Sequence, residues 1–267
     1  MPDRAGSGRA EAGLESLVRF ERVGRTFGDR AALRDLDLEV REREVLGLIG
    51  PNGAGKTTAL RILCGLLEPT SGRATIGGHD TSTDPLEARK LISFVPDGAP
   101  LYANLSPRQH FALVGRLHGL DEERIESEGK RLLEALDLAE RADDPVGTFS
   151  RGMRQKTALA CAILPRPRLL VLDEPLNGLD APTTAVFKEV LRAWADRGGS
   201  VLYTSHLLDV AERVCDRIAI LAGGSLVAVG TMDGLRALAG RDGTLEQVFG
   251  ALTKSEDPRG QAERLLG

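Results

Sequence analysis

The sequence predicts an α/β fold built on a mostly parallel sheet, and three observations carry that expectation. Short apolar runs of strand length recur at Val45–Ile49, Leu169–Leu172, 201–203 and 217–221, the composition of strands covered on both faces. Segments with apolar residues at helical spacing separate them, as parallel strands joined by helical crossovers require. Residues 36–40, by contrast, alternate apolar side chains with Asp35, Asp37 and Glu39. That is the period of a strand with one wet face, so an antiparallel piece is expected on the N-terminal side.

The elements follow in order. MPDRAGSGRAEAG at the start is small and polar with no apolar run for a signal core, so residues 1–16 are expected to form a mobile tail and 17–253 one domain. VLGLI at Val45–Ile49 passes at once into a glycine-rich turn. Leu60, Leu63, Cys64 and Leu67 then fall at i, i+3, i+4 and i+7, which predicts a helix over 55–67, ended near Pro69 and Gly72. Residues 99–160 read as a helical subdomain inserted into the sheet domain. There Ser106-Pro107-Arg108-Gln109 offers an N-cap, a first-turn proline and a capping-box glutamine ahead of Phe111, Val114 and Leu117. Ile125, Leu132, Leu133 and Leu136 mark a second helix, and 151–164 a third. Residues 254–267 read as a polar tail, and no internal repeat or long heptad run is visible.

Composition narrows the function classes. The 267-residue chain carries a formal net charge of −4 and only 4% aromatics. The summed field gives no long-range attraction for nucleic acid or an anionic membrane, and base-stacking platforms are scarce, so no nucleic-acid partner is expected. Cys64, Cys161 and Cys215 lie too far apart for a Cys-x-x-Cys pair and are expected to be small buried hydrophobes in a reducing compartment. The longest stretch without a charge, 218–232, falls short of the ~18 residues that span a bilayer and is broken by Gly223-Gly224.

Gly50-Pro51-Asn52-Gly53-Ala54-Gly55-Lys56-Thr57 matches the phosphate-loop pattern G-x4-G-K-[ST] and sits between an apolar strand and an amphipathic helix. Glycines let backbone N–H groups turn inward around an anion, and the following helix adds its positive end. Lys56 reaches the β- and γ-phosphates, and the Thr57 hydroxyl suits Mg²⁺. The strand Leu169–Leu172 delivers Asp173-Glu174 to the carboxyl edge of the sheet, where ligands of such folds bind. Asp173 is the expected Mg²⁺ ligand and Glu174 the group that polarises the attacking water.

With these residues the chain resembles the nucleotide-binding subunit of ATP-binding cassette (ABC) transporters. Phe149-Ser150-Arg151-Gly152-Met153 stands where that family has its LSGGQ signature, and keeps the serine and the second glycine. Asn177-Gly178-Leu179-Asp180 is similar to the D-loop, and His206 to the switch histidine. The resemblance implies a P-loop ATPase holding Mg²⁺ and ATP. Its ATP-binding residues would be Phe27 beneath the base, Gly50, Asn52, Gly53, Ala54, Gly55, Lys56, Thr57 and Thr58 around the phosphates, and Ser150 and Gly152 from the partner. Its catalytic residues would be Glu174, His206 and Lys56, and its metal ligands Thr57, Asp173 and Asp97. Phe27 replaces the usual tyrosine, and a core role near a strand end is its other reading. The largest departure is Phe94-Val95-Pro96-Asp97, where the family usually has glutamine. Asp97 is read either as a Mg²⁺ ligand or water-orienting group, or as loop filler. These departures, with 245–249 (LEQVF), look most like ATPase subunits of ABC-2 type, mainly exporter, systems.

The resemblance therefore implies a dimer with a second copy or a paralogous ATPase subunit, two ATP molecules sandwiched between the chains, and integral membrane permease subunits as partners. It places the chain on the cytoplasmic side of the membrane. Leu101, Tyr102 and Leu105 are the expected docking patch, with packing inside the helical subdomain as the other reading. The alternative function is a soluble ABC-type ATPase acting on ribosomes, DNA or protein assembly. A third, a non-hydrolysing binding module, rests on Asp97 and the altered signature.

Overall fold

The computed structural model describes residues 15–253. Of the expected N-terminal tail only Glu15 and Ser16 fall within that range, and the expected C-terminal tail lies outside it. In chain order the elements begin with β1 (Ser16–Phe27), β2 (Arg30–Arg41), β3 (Val45–Ile49) and α1 (Lys56–Leu63). They continue with β4 (Ser71–Ile76), β5 (His79–Asp80), α2 (Pro85–Lys90) and β6 (Ile92–Val95). The helical stretch comprises α3 (Pro107–Leu117), α4 (Glu122–Ala135) and α5 (Arg151–Ile163). After it come β7 (Leu169–Leu172), α6 (Ala181–Asp196), β8 (Ser200–Ser205), α7 (Leu208–Val214), β9 (Arg217–Ala222), β10 (Ser225–Gly230), α8 (Met232–Ala239) and α9 (Leu245–Thr253).

Two sheets form. The first, in the order β2-β1-β4-β5, is antiparallel. The second runs β10-β9-β3-β8-β7-β6, parallel throughout except for the β9–β10 hairpin. Every residue of β3, β7 and β8 is buried, which is why their sequences show no alternation: both faces of the sheet are covered. Leu46, Leu48, Leu169, Val171 and Leu202 enter one core, shared with α1 and the antiparallel sheet. Val45, Ile49, Leu170, Leu172 and Val201 enter the other, against α5 to α9. A third cluster, with Phe111, Ile125, Leu132, Leu133 and Leu136, holds the helical block together.

Three expectations change. The helix after the phosphate loop stops at Leu63 rather than 67, because Cys64 leaves helical geometry and Gly65 turns left-handed at φ 63°. Residues 99–106 are loop, so the helical block opens at Pro107, where Ser106 and Gln109 form both halves of the capping box. Leu117 joins no core and is 78% exposed.

Candidate functional site

The phosphate loop leaves β3 at Ile49 and enters α1 at Lys56. Gly50 is required by space, Gly53 by its dihedral angle and Gly55 by both. A Cβ on Gly50 would stand 2.2 Å from the Leu221 carbonyl oxygen, and one on Gly55, at φ 108°, 2.5 Å from that of Ala32. The loop thus runs in backbone contact with β2 and the end of β9, and the first N–H groups of α1 face away from any intrahelical partner. Lys56 is 6% exposed, and its Nζ donates to the carbonyls of Gly50 at 2.6 Å and Pro51 at 3.3 Å.

Parallel pairing of β7 with β8, in which Leu172 lies opposite Tyr203, brings Asp173 and Thr204 together one residue further on. The Thr204 hydroxyl donates to Asp173 Oδ1 at 2.6 Å and accepts the Glu174 N–H at 2.9 Å. Asp173 is 2% exposed. Glu174 has a positive φ of 48°, uncommon for a side chain with a Cβ. That twist turns its carboxylate between Lys56 and His206. Oε1 lies 3.5 Å from Lys56 Nζ, and Oε2 accepts from His206 Nδ1 at 2.8 Å and from the His206 N–H at 3.2 Å. A carboxylate only accepts, so the contact assigns the proton on the histidine to Nδ1.

Phe27, Arg30, Ala32, Asn52, Gly53, Ala54, Gly55, Lys56, Thr57, Thr58, Asp97 and Glu174 line one cleft of about 500 Å³. The sequence motifs from distant parts of the chain therefore converge. Phe27, at the end of β1, is 48% exposed, which sets aside the core reading. Ser150 and Gly152 do not line the cleft. Ser150 caps α5 by accepting the Met153 N–H at 3.2 Å, and Gly152 faces Thr183 at the start of α6. Asp180 caps α6, where the Thr183 hydroxyl and N–H hold its carboxyl below the usual range. Signature-like and D-loop-like residues thus make a second locus on the same chain.

Residues 95–101 stand between two cavities. Asp97 faces the cleft, while Val95, Pro96, Ala99 and Leu101 line a mainly apolar groove of about 500 Å³. Its other wall includes Cys64, Leu66, Val114, Ala158 and Cys161. Tyr102 is 63% exposed, its N–H donating to His110 Nε2 at 3.0 Å, and Leu105 is half-buried. Burial pushes the thiols of Cys64 and Cys161 up to about 12, which leaves both as unreactive apolar lining.

Sequence reasoning passes over Thr204 and Arg30. Thr204 is one position in a buried strand, and only the β7–β8 register gives it a role. Arg30 makes no ion pair among the described residues and lines the cleft beside Gly53. It belongs to no contiguous motif.

Known proteins resemble the chain over most of its length. Residues 33–177 match the family model described as "ABC transporter". The chain is similar to the daunorubicin resistance ATP-binding protein DrrA3 of Streptomyces coeruleorubidus, at 37% identity over 85% of this chain and 72% of that protein. It is also similar to the linearmycin resistance ATP-binding protein LnrL of Bacillus subtilis (strain 168), at 30% identity over 90% and 77%. Nod factor export ATP-binding protein I of Bradyrhizobium diazoefficiens shares 37% identity over 80% of this chain and 70% of its own length. Among solved structures, an ATP-binding subunit of an ABC transporter superposes with a TM-score of 0.84 and 32% identity, covering 89% of this chain and 100% of that one.

Proposed function

We infer the working of this site from one premise: the chain belongs to the ABC transporter family of ATP-binding subunits. It is an ATPase that drives a membrane exporter. The observation that carries the catalytic reading is the hydrogen-bonded row Asp173–Thr204–Glu174–His206, of which Glu174 reaches the cleft and there meets Lys56.

Each residue then has a part. Backbone N–H groups of 52–58 and the start of α1 cradle the phosphates, and Lys56 contributes its charge to the terminal ones. Glu174 takes a proton from the attacking water, and His206 orients that carboxylate through its Nδ1–H and backbone N–H. Phe27 supports the base. The donor set of Thr57 hydroxyl with Asp173 and Asp97 carboxylates is all hard oxygen, which fits Mg²⁺. When bound, that ion would offset negative charge on the β- and γ-phosphates.

Ser150 and Gly152 are assigned to the nucleotide of a second copy or a paralogous subunit, since they stand outside their own cleft at the start of α5. Integral membrane subunits are the other partners, docking along the groove beside Leu101. No helix among the described residues is long and apolar enough to cross a membrane. The permeation path is assigned to those partners and this chain to their cytoplasmic side on the strength of its family. Export as the direction follows the relatives whose names describe drug resistance and Nod factor export.

The test is purification of the tagged chain from its own membranes in mild detergent, followed by ATP turnover. The expected result is a stoichiometric polytopic membrane protein and hydrolysis that Glu174→Gln lowers by about 10² to 10⁴-fold with ATP still bound. Recovery with ribosomes or DNA, or turnover unchanged in Glu174→Gln, would overturn the reading.

A further inference from the structure

We propose that Arg25 is a positioning residue that holds the Phe27 ring face-on to the nucleotide cleft, so that a purine base stacks on a platform fixed from behind. The proposal rests on the reading that this cleft takes ATP.

Arg25 and Phe27 are two residues apart on β1 and so project from the same face of the strand. The guanidinium carbon of Arg25 sits 4.5 Å over the centroid of the phenyl ring. Phe27 lines the cleft and Arg25 does not, and the guanidinium is accordingly assigned to the ring face turned from the cleft and the other face to a ligand. Arg25 is itself anchored. Its Nη1 donates to the Glu68 carbonyl at 3.0 Å, which ties β1 to the segment between α1 and β4. Its Nε is buried with no hydrogen-bond partner among the described residues. A buried donor left unpaired carries a desolvation penalty, which attraction between the guanidinium and the π face of Phe27 offsets.

The arrangement answers a specific difficulty. Phe27 closes β1 at a hairpin turn through Gly28 and is 48% exposed. A terminal, half-exposed phenyl ring samples several orientations, and it has no hydroxyl to fix it by a hydrogen bond. A cation seated on one face supplies the missing orientation, because the ring quadrupole favours that geometry and the long guanidinium stem is already held at Glu68. The base would then meet a surface whose ordering cost has been met before binding.

The experiment measures equilibrium binding of two probes to the full chain, ATP and inorganic tripolyphosphate, which has the phosphates but no base. Arg25→Gln keeps a donor for the Glu68 carbonyl and removes the cation. It should weaken ATP about two- to fivefold while tripolyphosphate binds as to the wild type. Arg25→Lys, still cationic, should recover most of the ATP affinity. Phe27→Ala should weaken ATP at least as much as Arg25→Gln and likewise spare tripolyphosphate. Wild-type ATP affinity in Arg25→Gln overturns the proposal. Equal loss for both probes also overturns it, since Arg25 would then be supporting the phosphate loop. Wild-type protein that binds neither probe overturns the nucleotide reading itself.

Discussion

One hydroxyl, that of Thr204, satisfies both carboxylate residues at the end of β7: it donates to the Asp173 side chain and accepts the Glu174 N–H. Thr204→Val preserves shape and leaves both groups buried and unpaired, a change expected to cost about 1–3 kcal/mol on a urea unfolding curve. Turnover should fall with it, because the left-handed backbone at Glu174 then loses its clamp. That backbone carries strain of its own, ~1–2 kcal/mol for a side chain at φ near +50°, so Glu174 is placed for its carboxylate and not for the fold. Lys56→Ala should remove ATP binding in a fluorescent-nucleotide titration. What can be read in advance at this scale follows chain contiguity. Lys56 with Thr57 and Asp173 with Glu174 are neighbours in sequence and declare themselves. Thr204 lies 31 residues from Asp173 and is joined to it only by strand register, a relation that no local pattern records.

The same distinction holds for whole elements. β3 and β7 are legible because burial on both faces demands an unbroken apolar run. β4 is not: its Ser71, Gly72 and Arg73 are exposed, and only Ala74 and Ile76 are buried. β6 has four residues, too few for a period to show. Spacing overstates the length of α1 because Leu67 keeps the helical period and packs on the core, although Gly65 has already ended the helix. In the helical block the Ser106 cap is legible down to the atom, since its box is written in four consecutive residues. Ser106→Ala should cost about 1 kcal/mol, measured as the shift of the chemical denaturation midpoint. Gly129 gives a sharper test of α3–α4 packing. A Cβ there would stand 2.8 Å from the Phe111 ring, so Gly129→Ala is expected to destabilise by about 1–3 kcal/mol through overpacking despite its better helix propensity.

At the scale of the molecule, the chemistry gathers where the parallel strands end, and the opposite ends are tied down by a buried charge. Glu44 is 4% exposed, accepts the Arg41 N–H at 2.7 Å and pairs with Arg217 at 3.1 Å. Burial raises its pKa above the usual 4.5 against the opposing pull of those partners. A raised carboxyl stabilises the fold most when protonated. Its contribution is therefore fully present below the unfolded pKa and is lost as pH rises through the folded value. The melting temperature of the wild type minus that of Glu44→Gln should fall as pH is raised from about 4 toward 7. A difference that rises would show that the Arg217 pairing outweighs burial.

The stretch 95–101 has a further consequence. It forms a wall of the cleft through Asp97 and a wall of the groove through Pro96, Ala99 and Leu101, so neither cavity can be reshaped without moving the boundary of the other. If a membrane subunit docks as proposed, a thermodynamic cycle constrains both: whatever factor that subunit imposes on nucleotide affinity by seating in the groove, nucleotide imposes on the affinity of that subunit. Nucleotide affinity measured on the lone chain is accordingly one corner of a square. Its departure from the value in the assembled transporter would measure, in free energy, how strongly the two sites speak to each other.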